Sequence, residues 1–202
     1  MTATNIAYGE RESRNFFKQT LISLALTVGA VAGFLVALLL GVAIPVTLKI
    51  VGTAGWVQWI ADGLQWLLLW VLVIVGLSAV YRYAPARTPA RWHWVTWGSC
   101  VAATLWLGAS TLFAIYVRAF ANYSKTYGAL GGVVALLMWF YLSSLLVVLG
   151  AEINSEMERQ TRKDTTAGPA APLGQRGAYS ADTVGPSAGE SEPAKKTTIE
   201  GS

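Results

Sequence analysis

Of 202 residues, 54% are hydrophobic and 13% charged, a balance that fits a polytopic membrane protein and leaves no room for a large aqueous domain. Cys100 is the sole cysteine, which excludes an intrachain disulfide and a cysteine-based zinc cluster. The net charge of +4 comes from Lys and Arg in short groups at the ends of apolar runs, so the expected partners are membrane lipids and not nucleic acid.

In chain order, residues 1–20 form a polar lead-in of mixed charge at the interface or in the cytoplasm. The uncharged run Leu21 to Leu48 exceeds the ~7 to 15 residues of a signal-peptide core, and Pro45 is expected to end or kink it. A first span over about 21–44 follows. Residues 49–63 carry Lys49, Trp56, Trp59 and Asp62, the pattern of an amphipathic piece at headgroup level. A second span covers about 64–81. The linker Tyr81 to His93 holds Arg82, Arg87, Arg91, Pro85 and Pro89 and must lie outside the hydrocarbon. Spans three and four cover about 94–117 and 128–151, the last with no charge between Lys125 and Glu152 and long enough to cross a bilayer. From 164 to 202 the chain turns to Gly, Pro, Ala, Ser and Thr, a composition expected to be disordered. The predicted fold is therefore all-α: a polytopic transmembrane helical bundle with four spans between 21 and 163 and a disordered tail.

Lys and Arg near the span ends alternate as three, one, three, two and three. By the positive-inside rule this places both termini and the arginine-proline linker in the cytoplasm.

Several residues stand out within this frame. Gly128 and Gly132, like Gly29 and Gly33, are four apart and predict close helix contact in lipid, with a hinge as the alternative. Gly131, Ala135, Ser143 and Ser144 add small positions to the fourth span. Trp139 and Tyr141 fall mid-span with Trp106 and Thr104, where polar atoms need partners; bundle packing or a cavity for an amphiphile would supply them. Glu152 and Asn154 stand at the mouth of the fourth span, either functional or solvating the helix end. Arg118 is expected to snorkel to phosphate, with substrate binding as the alternative, and Arg82, Arg87 and Arg91 to set topology and touch anionic lipid, with recognition of a specific head group as the alternative. Beyond Glu152 the helix continues, and the pairs Glu156–Arg159 and Glu158–Arg162 read as solvated surface.

An ordered series of motifs carries a family resemblance. It comprises residues 5–29 (NIAYGERESRNFFKQTLISLALTVG), Tyr81-Arg82-Tyr83 with Pro85, and Gly98, Trp106, Tyr116, Phe120 and Tyr123 in and after the third span. It closes with Tyr127-Gly128, Gly131-Gly132, Trp139, Tyr141 and the run Gly150-Ala151-Glu152-Ile153-Asn154. The chain resembles the YihY/BrkB family of bacterial inner-membrane proteins, which has carried the label "ribonuclease BN-like". The resemblance covers nearly everything from Asn5 to Glu158. It implies a six-span relative with two helices ahead of the point where this chain starts, so Met1 looks like an internal start.

Hydrolysis of RNA would need metal ligands or an acid and base placed together in water. His93 is the only histidine, and the predicted topology puts Asp62 and Glu152 on opposite sides of the membrane. No enzyme, cofactor or metal site is expected. The expected function is transport or handling of an envelope lipid or other amphiphile in the inner membrane; the alternative is a scaffolding subunit. A second copy or another membrane subunit would be its protein partner.

Overall fold

The computed structural model describes residues 1–52, 55–120 and 129–185. Among the described residues four helical stretches are long and apolar enough to cross a membrane: Phe16–Val51, Gly55–Tyr83, Trp92–Arg118 and Leu130–Arg159. Among the described residues there is no strand, only an isolated bridge between Ala90 and Thr166.

A short helix α1 (Thr2–Ala7) precedes α2 (Phe16–Leu38). Pro45 does not end the first crossing. It has no N–H for the preceding turn and its ring crowds the carbonyl four residues back, and the chain meets this with a π-helical turn at Leu39–Ala43. Helix α3 (Ile44–Val51) then continues to Gly52, whose left-handed φ of 71° closes it.

Helix α4 (Gly55–Tyr83) absorbs most of the segment expected to lie at headgroup level. Between Gly55 and Leu64 only Gly63 weakens a helix, and extending an existing helix adds a hydrogen bond for each residue fixed. Helices α5 (Trp92–Phe120) and α6 (Ala129–Arg159) complete the bundle. The fourth helix thus runs past the predicted end of its span, as the continuation beyond Glu152 required.

The centre of the bundle is α5. Val95, Gly98, Ser99, Ala102 and Ala103 are buried and recur at helical spacing, giving a small-residue stripe against which α4 and α6 approach. The facing stripe of α6 is Gly150, Ala151, Asn154, Ser155 and Glu158, also buried. By contrast α2 buries no residue of its own; it lies along α4 with large apolar side chains outward, as a lipid-facing helix does.

The predicted disorder from residue 164 onward is corrected for 164–185. This stretch packs on the bundle end and includes a final short helix, α7 (Tyr179–Asp182). Its attachment is polar, which composition does not reveal. The amides of Arg91, Ala167 and Thr88 donate to the carbonyls of Thr165, Pro89 and Gly177 at 2.8, 2.8 and 2.9 Å. Buried Arg176 donates to the carbonyls of Arg162, Lys163, Ala171 and Ala181. The rest of the predicted disordered tail, 186–202, lies outside the described residues. Helix α1, the 84–91 linker and residues 160–185 all meet at one end, as an even number of crossings requires.

Candidate functional site

Three layers run from the middle of the bundle to this terminal end. In the middle, indole N–H groups find the partners that a medium without water demands. Trp106 Nε1 donates to Ser143 Oγ at 3.0 Å, and Trp70 Nε1 to Thr104 Oγ1 at 3.1 Å. The Trp106 and Trp139 rings lie 5.9 Å apart across the α5–α6 contact. Tyr141 does not join them; it is 71% exposed and faces the lipid side.

The next layer is the closest helix approach. Buried Asn154 accepts from the Gly98 amide at 2.9 Å and donates to the Val95 carbonyl at 3.2 Å, joining α6 to the first turns of α5. A side chain on Gly98 would strike Asn154 and the Gly150 carbonyl, and one on Gly150 would strike Tyr81 and Ala102. Tyr81 Oη donates to the Val147 carbonyl at 2.8 Å, adding α4 to the junction.

The third layer is a buried ion pair. Arg87 of the linker binds Glu158 of α6 through both guanidinium nitrogens, at 2.7 and 2.6 Å, with both side chains fully buried. Thr165 Oγ1 donates to the same carboxylate at 3.2 Å, and the Arg87 guanidinium lies 4.3 Å over the Tyr8 ring. Burial opposes the charge on Arg87, yet the Glu158 carboxylate holds its pKa above the ordinary value. Burial pushes the Tyr8 phenol up and keeps it neutral. Around this pair Ser180 donates to the Tyr8 carbonyl at 3.1 Å and contacts Ser155 at 2.9 Å. The Tyr8-Gly9 turn needs glycine: φ is 67° and the Tyr179 ring leaves no space for a β-carbon. Asn5 caps the linker by accepting from the Ala86 amide at 2.8 Å and donates to Glu12 at 3.0 Å. The Arg14 guanidinium, 2.8 Å from Glu12, holds that carboxyl down at about 2.

Beside these layers α2 and α4 enclose a groove of about 770 Å³ lined almost wholly by apolar groups, among them Leu26, Gly29, Gly33, Leu72 and Gly76. At its terminal end Ile22 and Tyr83 line both this groove and a second recess of about 560 Å³ walled by Arg14, Lys18 and Arg82.

The sequence profile of the virulence factor BrkB family matches residues 1–174. The chain belongs to that family. Curated relatives agree with the assignment. The chain is 36% identical over 162 residues to the ribonuclease-like protein YfkH of Bacillus subtilis, covering 78% of this chain and 58% of YfkH. It is 34% identical over 126 residues to a UPF0761 membrane protein of Tolumonas auensis, covering 60% of this chain and 41% of the relative. A shorter stretch of 55 residues is 51% identical to a UPF0761 membrane protein of Aeromonas salmonicida. The chain thus spans less than two thirds of each of these relatives. No solved structure matches it.

The residues that drew attention in this BrkB-family sequence do not gather in one place, and only some of them belong to the three layers. Asn154 is a buried junction, whereas Glu152, two residues earlier on the same helix, is exposed. Trp139 packs on Trp106, and Arg82 borders the recess with its guanidinium 4.8 Å over the Trp92 ring. Arg118 is exposed in the last turn of α5. Gly131 and Gly132 have nothing within 4 Å of a β-carbon, and neither do Gly29 and Gly33, so the expected close helix contact falls at Gly98 and Gly150 instead. Tyr127 and Gly128 lie outside the described residues. Glu156 does pair with Arg159, at 2.8 Å, but Glu158 leaves Arg162 for Arg87 because helical rotation turns it inward on the Gly150–Asn154 face. Arg87 is accordingly no lipid ligand. Tyr8, Thr165, Arg176 and Ser180 were not anticipated. For Tyr8 a signal existed, the uncharged run Asn5 to Tyr8 followed by a turn glycine inside a charged lead-in; for the others none did.

Proposed function

We propose that this chain handles an amphiphile, moving or presenting a lipid of the cell envelope within the bacterial cytoplasmic membrane, with both termini in the cytoplasm. The groove between α2 and α4 carries the reading. Its volume of about 770 Å³ lies within the ~300–1,000 Å³ typical of small-molecule sites, and its lining suits an acyl chain. Small residues line it yet pack against nothing, which is unusual for glycines in a membrane helix unless something else occupies the space. The mid-bundle Trp106, Trp139 and Ser143 contacts and the exposed Glu152 are the further candidates for a path along α6.

Catalysis is no part of the proposal. Asp62 lies about nineteen residues before Tyr81 on α4, roughly 30 Å along the helix from the level where α6 reaches Glu152, so these carboxylates do not meet. The full chain, reconstituted in vesicles with a fluorescent short-chain phospholipid, tests the reading. Transfer between leaflets should exceed that of protein-free vesicles and fall severalfold with Gly33→Leu or Trp139→Ala. A scaffolding subunit would move no lipid and be indifferent to both substitutions.

A further inference from the structure

Groove and recess share a wall, and they differ in chemistry in the way the two ends of a phospholipid differ. From Ile22 to Ala37 the groove follows α2 for about 22 Å, more than the roughly 15 Å depth of one leaflet of hydrocarbon. Its terminal end therefore reaches headgroup level. There Lys18, one helical turn before Ile22, and Arg82, next to Tyr83, face the recess, and no Asp or Glu lines it. Two other cations border the recess but are neutralised: Arg14 by Glu12 at 2.8 Å and Arg87 by Glu158 at 2.6 Å. Among the described residues Lys18 and Arg82 have no carboxylate partner. Arg82 is braced rather than free. It donates to the Ala90 carbonyl and rests on the Trp92 ring. A fixed, unneutralised guanidinium facing a flexible ammonium across the recess is a receptor for a phosphate.

We propose that recess and groove together bind an anionic glycerophospholipid, with its phosphate between Lys18 and Arg82 and an acyl chain along Gly29, Gly33 and Gly76. This rests on the groove being an amphiphile site and adds the headgroup class, which the groove alone does not specify. Zwitterionic lipids carry their own ammonium and gain less from the two cations. Arg14 and Arg87, already paired, hold the recess walls and do not contribute net charge.

The test is retention of phosphatidylglycerol against phosphatidylcholine of identical acyl chains by the detergent-purified full chain, read as lipid-bound peaks in native mass spectrometry. Wild type should retain phosphatidylglycerol preferentially. Lys18→Gln, on an exposed first turn where folding is not at stake, should lower phosphatidylglycerol retention by about fivefold and leave phosphatidylcholine unchanged, as expected for one basic residue at an anionic surface. Arg82→Gln should do the same, Lys49→Gln in the last turn of α3 should do nothing, and Gly33→Leu should weaken both lipids. Equal retention of the two lipids, or an equal loss from Lys18→Gln and Lys49→Gln, would overturn the headgroup assignment while a Gly33→Leu effect kept the groove reading. Indifference of both lipids to Gly33→Leu would sink the groove reading as well. So would lipid-free complexes with the mass of two chains, which would put a second copy in the groove.

Discussion

Glu158 shows how one side chain can change roles when the fold closes. On an isolated helix it stands four residues before Arg162 on a solvated surface; in the bundle it faces Arg87 with no exposed atom on either side chain. Removing one partner of such a pair leaves a buried charge, so Glu158→Gln should destabilise the protein by about 3–5 kcal/mol. Replacing both with apolar residues, as in Arg87→Met with Glu158→Leu, should cost clearly less than the two single changes summed. Thermal unfolding in detergent would show this, and strict additivity would mean that the pair is not coupled. Glycines make the same point. Gly150→Ala forces a methyl onto Tyr81 and Ala102 and should cost about 1–3 kcal/mol, whereas Gly33→Ala meets open space and should be neutral or stabilise by up to about 1 kcal/mol. Equal unfolding midpoints for the two would refute the close approach of α6 to α4 and α5 at Gly150.

At the scale of elements, the 164–185 segment is held by hydrogen bonds and charge in place of apolar area. Asp164 organises its first turn. Burial works against its charge, but the amides of Ala171 and Thr166 and the Thr166 hydroxyl hold its carboxyl at about 2, below the ordinary 3.8. A depressed carboxyl stabilises the folded state fully above its unfolded pKa and loses that contribution as pH falls through the folded one. Docking of 164–185 should therefore be intact at pH 5 and loosen between about pH 4 and 2, with Glu12 acting in the same direction over its own window from 4.5 to about 2. Hydrogen exchange at pH 5 and 2.5, corrected for intrinsic rates, should show lost protection around Ala167 and Ala171 in the wild type. Asp164→Asn should show weaker protection at pH 5 and little further change. Protection in the wild type that ignores pH would remove Asp164 from this role.

For the whole molecule, the arrangement of ends is the testable feature. Four crossings bring α1, the arginine-proline linker and the 160–185 segment to one side, and the cations concentrated there should set that side as cytoplasmic. In a Cys100→Ser background, Ser13→Cys and Gln160→Cys should resist a membrane-impermeant maleimide in intact cells. Lys49→Cys should react. Opposite behaviour of Ser13→Cys and Gln160→Cys would refute an even number of crossings, and a uniform reversal would refute only the orientation.

By itself the sequence determined the class of fold, the number of crossings and the family, because these depend on apolar run lengths and charge placement, and a bilayer reads both directly. Glycine spacing alone located neither the tight contact nor the groove: the Gly29–Gly33 pair lines an open cleft while Gly98 and Gly150, on different helices, meet. Which face of a helix turns inward is settled between helices, by what its neighbours can accommodate. The same holds for Tyr8, Arg87, Glu158, Thr165 and Ser180, which lie far apart in the chain and acquire a shared environment only when the two ends fold over the linker. Only the tertiary structure decided that site, because burying an ion pair and satisfying its neighbours is a property of several segments packed at once.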